Sequence, residues 1–272
     1  MFMNKIAYFL FAWVTLTSCA SSFDIQGTSN ISTLDGRKLY LKVLANNEFK
    51  SVDSCDVIHG QFSFAGSVDT VRMATIFMDD ESVMPLVLES GKINIKLNNT
   101  QLEAGGTPLN DKLTEFLKKY NQLKSQQADL VHRHDQAIMD GSNMEEVTAK
   151  LNEEADKLSH EEDRLVTGFV TDNFDNVLGP GVFFMVTMGN RYPMLDPWIE
   201  DIMSKATDHF KNDPYVKDYY DKALENQQIM TGMKDVAPAA PVNPETPAPA
   251  ATPATTTDSA TPATGTTAKN NK

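Results

Sequence analysis

The residues of this chain whose types could do chemistry are its two cysteines, Cys19 and Cys55, and a few runs that mix histidine with carboxylates. His132-Arg133-His134-Asp135 has the composition of a metal site. Its apolar neighbours recur at helical spacing, and on a helix side chains two apart diverge, so both imidazoles cannot reach one ion. A solvated helix face is expected there, and the same holds for His160-Glu161-Glu162-Asp163. Asp79-Asp80-Glu81 could hold calcium weakly, but it lacks the alternating ligands and the glycine of a calcium loop and reads as an exposed turn. The sequence contains no Gly-rich phosphate loop, no Gly-x-Ser-x-Gly and no His-Glu-x-x-His. No catalytic residue, metal or cofactor is therefore expected, and the chain reads as a non-enzyme.

Cys19 stands where a different chemistry is expected. Lys5 precedes an apolar run from Ile6 to Val14, and Leu16-Thr17-Ser18 lead into the cysteine. A positive start, a short apolar core and small residues before a cleavage point mark a secretory signal over residues 1–18. Even counted from Ile6 to Ser18 the stretch is 13 residues, against the roughly 20 needed to cross a bilayer. The Leu-Thr-Ser-Cys ending resembles the bacterial lipobox, which implies acylation of Cys19 and attachment to a membrane by lipid. Ala20-Ser21-Ser22 lacks an acidic run, which points to the periplasmic side. Cys55 then remains as a single thiol, with no partner in the chain and no Cys-x-x-Cys. Free cysteine is usually buried, yet a reactive thiol at Cys55 is the other reading.

The net charge of −13 argues against nucleic acid as a partner and against adhesion to anionic lipid through basic patches. Roughly 250 residues follow the signal, enough for one or two modest domains.

Period-two alternation predicts strands at Phe23–Gly27, Lys38–Val43 and Gln61–Gly66, then at 71–78, 83–88 and 92–97. Turn residues fall between them, including Asp35-Gly36, Asn46-Asn47, His59-Gly60 and Ser90-Gly91. Short strands at this spacing predict an antiparallel, sandwich-like β domain over 19–105. At Gly105-Gly106-Thr107-Pro108 the character changes. Thr107 is the expected N-cap and Pro108 the first helical residue. Leu109, Leu113, Phe116, Tyr120 and Leu123 continue at helical spacing to Ile138, and Asp140-Gly141-Ser142-Asn143 breaks the run. A second helix follows from Met144 to Val170. The pair predicts a long antiparallel hairpin with a narrow apolar stripe, projecting from the body or packing along the sheet. Shorter helices are expected at 176–188, 198–210 and, capped by Asp213, from Pro214 to Met230. The helical region spans 106–235. Residues 236–272 are rich in Ala, Pro and Thr and read as a disordered tail. The fold class is α+β with segregated elements.

In this order the parts resemble a domain of unknown function that precedes thioredoxin-like peroxiredoxin and disulfide-reductase domains in lipoproteins of Bacteroidota. The resemblance rests on Phe23-Asp24-Ile25-Gln26-Gly27, on Leu39-Tyr40-Leu41, and on His59 to Gly66 with its Gly-x-Phe-x-Phe-x-Gly pattern. Leu86 to Ile93 and Gly106-Thr107-Pro108-Leu109-Asn110 extend it. It implies a β domain over about 23–112, with looser likeness through the helices. Gly232 to Pro238 looks like the junction that leads into the thioredoxin fold, but the chain runs instead into its tail, so the relatives' redox activity does not carry over. Asp258-Ser259-Ala260 resembles the acceptor sequence for O-glycosylation in that phylum, which makes Ser259 a candidate site. Asp69-Thr70-Val71 also fits, but lies between expected strands and is less accessible.

The expected function is that of a lipid-anchored cell-envelope protein that binds or scaffolds another envelope protein without catalysis. It would be attached through Cys19, at the outer membrane and facing the periplasm. One alternative is an accessory of an envelope thiol-redox pathway acting through Cys55. Another is binding of a small apolar ligand along Phe183, Phe184, Met185, Met188, Tyr192 and Trp198, although such residues fill cores first.

Overall fold

The computed structural model describes residues 21–45, 48–99 and 101–234. Eight strands come first: β1 Ser22–Ser29, β2 Lys38–Ala45, β3 Glu48–Asp56, β4 Gln61–Ser67, β5 Arg72–Met78, β6 Glu81–Leu88, β7 Gly91–Leu97 and β8 Leu102–Gly105. They form two four-stranded sheets, ordered β4-β1-β7-β8 and β3-β2-β5-β6. All pairs are antiparallel except β1 with β7, which run parallel. That exception departs from the antiparallel expectation, because β1 sits between two strands that run in opposite directions. β3 and β8 are also additions. Both are edge strands; β3 is mostly exposed and β8 has four residues, so neither carries the alternation of a half-buried strand.

The alternating residues meet between the sheets. Phe23, Ile25, Phe64, Ile93 and Ile95 from one sheet pack on Leu39, Leu41, Ile76, Leu86 and Leu88 from the other. Two glycines of the strand motifs serve this packing. Gly27 pairs with Phe62 and Phe23 with Gly66 across β1 and β4. A Cβ on Gly27 would lie 2.1 Å from the Phe62 ring, and one on Gly66 would lie 2.9 Å from the Phe23 ring. Each phenyl ring therefore lies over the glycine of the other strand, and the spacing Phe-x-x-x-Gly recurs in both.

The helices are α1 Pro108–Met139, α2 Met144–Thr171, α3 Leu178–Thr187, α4 Pro197–Lys205, α5 Asp208–Lys211 and α6 Pro214–Met230. The helix expected at 198–210 is two, because Thr207 interrupts it: its hydroxyl accepts from the Phe210 N–H and donates to Asp175. Asp213 caps α6, accepting from the Tyr215 and Val216 amides. A second core joins these helices to the outer face of the β5–β6 region through Met73 and Val87. β6 is thus buried on both faces, which explains its unbroken apolar run. At α3, a Cβ on Gly181 would sit 2.4 Å from the Met73 side chain, so glycine permits the close approach of helix to sheet. No helix among the described residues is long and apolar enough to cross a membrane.

Candidate functional site

The long hairpin is positioned by its first two turns. Asn110 is fully buried and pairs with both main-chain groups of Val87 on the edge of β6: the Val87 N–H donates to Oδ1 (2.9 Å) and Nδ2 donates to the Val87 carbonyl (2.8 Å). The side-chain amide thus replaces a neighbouring strand. The Glu89 carboxylate accepts from the Leu109 and Asn110 amides at 2.9 and 3.1 Å, placing negative charge at the helix N-terminus. Thr107 holds the N-cap position, but its hydroxyl accepts from Asn110 Nδ2 (2.9 Å), and the capping acceptor is Glu89. One turn on, Thr114 repeats the device on the other sheet. Its Oγ1 accepts from the Ala104 N–H (3.1 Å) and donates to the Ala104 carbonyl (2.6 Å) on β8. Positions i and i+4 of one helix face therefore close the edges of both sheets. The two motifs Leu86–Ile93 and Gly106–Asn110 meet in this node.

From there α1 runs the length of the sandwich. Its start lies by Gly91, whose Cβ would meet Thr107, and the Ser90 hydroxyl donates to the Ser22 carbonyl. Asn121, Gln122 and Ser125 lie beside the β7–β8 turn at the opposite end. The remaining 14 residues of α1 extend about 20 Å beyond, at 1.5 Å per residue. The tip at Asp140–Asn143 thus points away from the end where the described chain begins. Among residues 117–165 only Ala137 and Leu151 are buried. The helices meet along a seam of heptad spacing, Tyr120, Leu123, Gln127, Leu130, His134 and Ala137 on α1, facing Leu151, Ala155, Leu158, Glu162 and Leu165 on α2. Gln127 donates to Glu162 across it (2.8 Å), Lys124 pairs with the same carboxylate (2.6 Å), and Arg133 pairs with Glu154 (2.6 Å). Val131, Ile138 and Met139 lie off this seam and are 60%, 55% and 79% exposed.

Cys55 lies on β3 opposite Leu39, half-buried against the inter-sheet core. Burial pushes its thiol pKa up, opposed by a hydrogen bond from the Ser63 backbone and reinforced by Asp53 and Asp56. The microenvironment favours thiol over thiolate, the reverse of an activated cysteine.

The other singled-out residues are dispersed. His132 is exposed, and His134 lies 3.5 Å from Asp135 on its own helix. Asp79 forms an ion pair with Arg37 at the β5–β6 turn. Phe183 is fully buried among Trp198, Phe210, Tyr215 and Tyr219, with centroids 5.3–6.4 Å apart. Phe184 meets Tyr215 (4.7 Å) and Phe49 (6.2 Å), while Met188 and Tyr192 are exposed, so the stretch does not line one cavity. Thr70, between β4 and β5, is exposed, contrary to the lesser accessibility expected of it. Cys19 and Ser259 lie outside the described residues. Sequence reasoning missed the Glu89–Asn110–Thr114 node and the amide-lined cleft beside the β7–β8 turn. Glu89, directly after the apolar run Val83–Leu88, was the available signal for the node.

The geometry defines a β-sandwich whose open side is closed and extended by a helical hairpin. Residues 23–113 match a family model described as a domain of unknown function (DUF4369). The matched stretch is the sandwich together with the first turn and a half of α1, ending one residue before Thr114. No curated protein and no solved structure matches the chain.

Proposed function

We propose that this protein is a lipid-anchored component of the cell envelope that binds or scaffolds another envelope protein, without catalysis of its own. In this reading Cys19 carries the lipid at the outer membrane, and the chain faces the periplasm. The observation that supports it best is the hairpin, which reaches past the sandwich and shows Val131, Ile138 and Met139 at the end remote from Ser21. Apolar side chains held out on a narrow two-helix arm suit contact with a partner, since they contribute little to the protein's own core. A photo-crosslinking residue at Ile138 tests the reading in native envelopes. The expected result is a discrete adduct that vanishes when Val131 and Met139 are changed to Ser. No adduct from Ile138, or adducts indifferent to those changes, would assign the arm another role. Steady turnover of a substrate by the purified chain would remove the non-enzymatic part.

A further inference from the structure

A second feature lies where α1 passes the β7–β8 turn, independent of the hairpin tip. A cleft of about 650 Å³ is lined there by Asn99 and Gln101 from the turn and by Asn121 and Gln122 from α1. Among the described residues the side chains of these four make no hydrogen bond. The lining also carries one cation, Lys118, and one anion, Glu103, so it is balanced in a chain of net charge −13. Ile31 and Leu102 add an apolar surface. The sheet edge is open at the same place. Thr114 closes the edge of β8 at Ala104, and Leu102, two residues earlier, turns its N–H and C=O to the same side. The next position of α1, one turn beyond Thr114, is Lys118, which offers no acceptor for the Leu102 N–H.

We infer that this cleft binds a neutral, hydroxyl-rich ligand of the oligosaccharide class. Each side-chain amide presents donors and an acceptor together, as a sugar hydroxyl does, and the Leu102 main chain adds one of each. Balanced charge favours neither an anion nor a cation. The apolar surface suits the C–H face of a sugar ring, and the volume lies in the range of ligand sites, well above that of an ion site.

Titration of the full chain with maltotetraose and chitotetraose, followed by NMR of the side-chain amides, tests the inference. The amide signals of Asn121 and Gln122 should shift with at least one of the two saccharides. The double variant Asn121→Ala/Gln122→Ala should weaken that binding about tenfold or more, the loss expected from two ligand hydrogen bonds. Lys119→Ala, on the same helix but outside the cleft, should bind as the parent does, and both variants should keep the parent melting temperature. The inference is overturned if neither saccharide shifts these signals at up to about 20 mM. It is overturned equally if the double variant binds undiminished, or if an uncharged extended peptide such as acetyl-Ala-Thr-Ala-Thr-amide binds more tightly than both sugars. The last result would make the cleft a site of strand addition.

Discussion

At the scale of single residues, the side chains with most consequence are polar and buried. Asn110 satisfies both main-chain groups of Val87 at the edge of β6. Asn110→Ala would leave a buried N–H and a buried C=O without partners, at about 1–3 kcal/mol for each. Chemical denaturation should therefore show a loss of about 2–6 kcal/mol, and Asn110→Leu, of similar volume, should not recover it. Gly27→Ala acts by another route, driving a methyl group into the Phe62 ring. It should cost about 1–3 kcal/mol, and a double-mutant cycle with Phe62→Ala should show strong coupling. Cys55 is the residue to read by pH. Its folded pKa is raised, chiefly by burial, so folding favours the neutral thiol. The associated stability is complete below the unfolded thiol value of about 8.5 and is lost as pH rises through the folded value. Stability of the parent should fall across that alkaline window more steeply than that of Cys55→Ala. Equal slopes would show that the thiol is no more buried than in the unfolded chain.

At the scale of elements, α1 is two structures in succession. Its first turns hold the sandwich edges through Asn110 and Thr114 and enter the second core through Leu113 and Phe116, and its last turns belong to the hairpin alone. In the distal part the seam is interrupted by Gln127, His134 and Glu162, and the ion pairs that flank it are partly exposed and contribute modestly. Local stability should therefore drop from the sandwich to the tip. Limited proteolysis should cut at Asp140–Asn143 before it cuts anywhere in residues 61–97. Leu151→Ala removes one of the two residues buried in the distal part and should cost about 2 kcal/mol or more there. Hydrogen exchange would register faster opening of residues 123–158 with protection of β5 and β6 unchanged. Equal acceleration in both would mean that hairpin and sandwich unfold as one unit.

At the scale of the whole molecule, the described sandwich and hairpin are laid out along one direction. Ser21 and Ser22 lie by the start of α1, the sandwich follows, and the hairpin tip lies beyond the opposite end. A lipid on Cys19 would place the sandwich next to the membrane and the tip away from it. Cys19→Ala should then release the protein from membranes, because no described helix can insert in its place. Sedimentation of that variant with membranes in high salt would put the anchor elsewhere.

How far the sequence alone determined this protein follows from the range of the interactions involved. Alternation at Phe23–Gly27, Lys38–Val43 and Gln61–Gly66, and helical spacing from Leu109 to Val170, are written in residues a few positions apart, so the α+β class and the hairpin were legible without coordinates. The glycines of the Phe-x-x-x-Gly strands were visible, but their use was not, because it depends on which strand lies opposite. The parallel β1–β7 pair, the edge strands β3 and β8, and the break at Thr207 were hidden for the same reason. Glu89 and Asn110 stand 21 positions apart, and Thr114 closes a strand ten positions before it. Such partners are selected by the tertiary arrangement, where a buried main-chain group must find whichever donor or acceptor the fold brings to it. The cleft at Leu102 likewise exists only because α1 passes the β7–β8 turn, a proximity that no local pattern encodes.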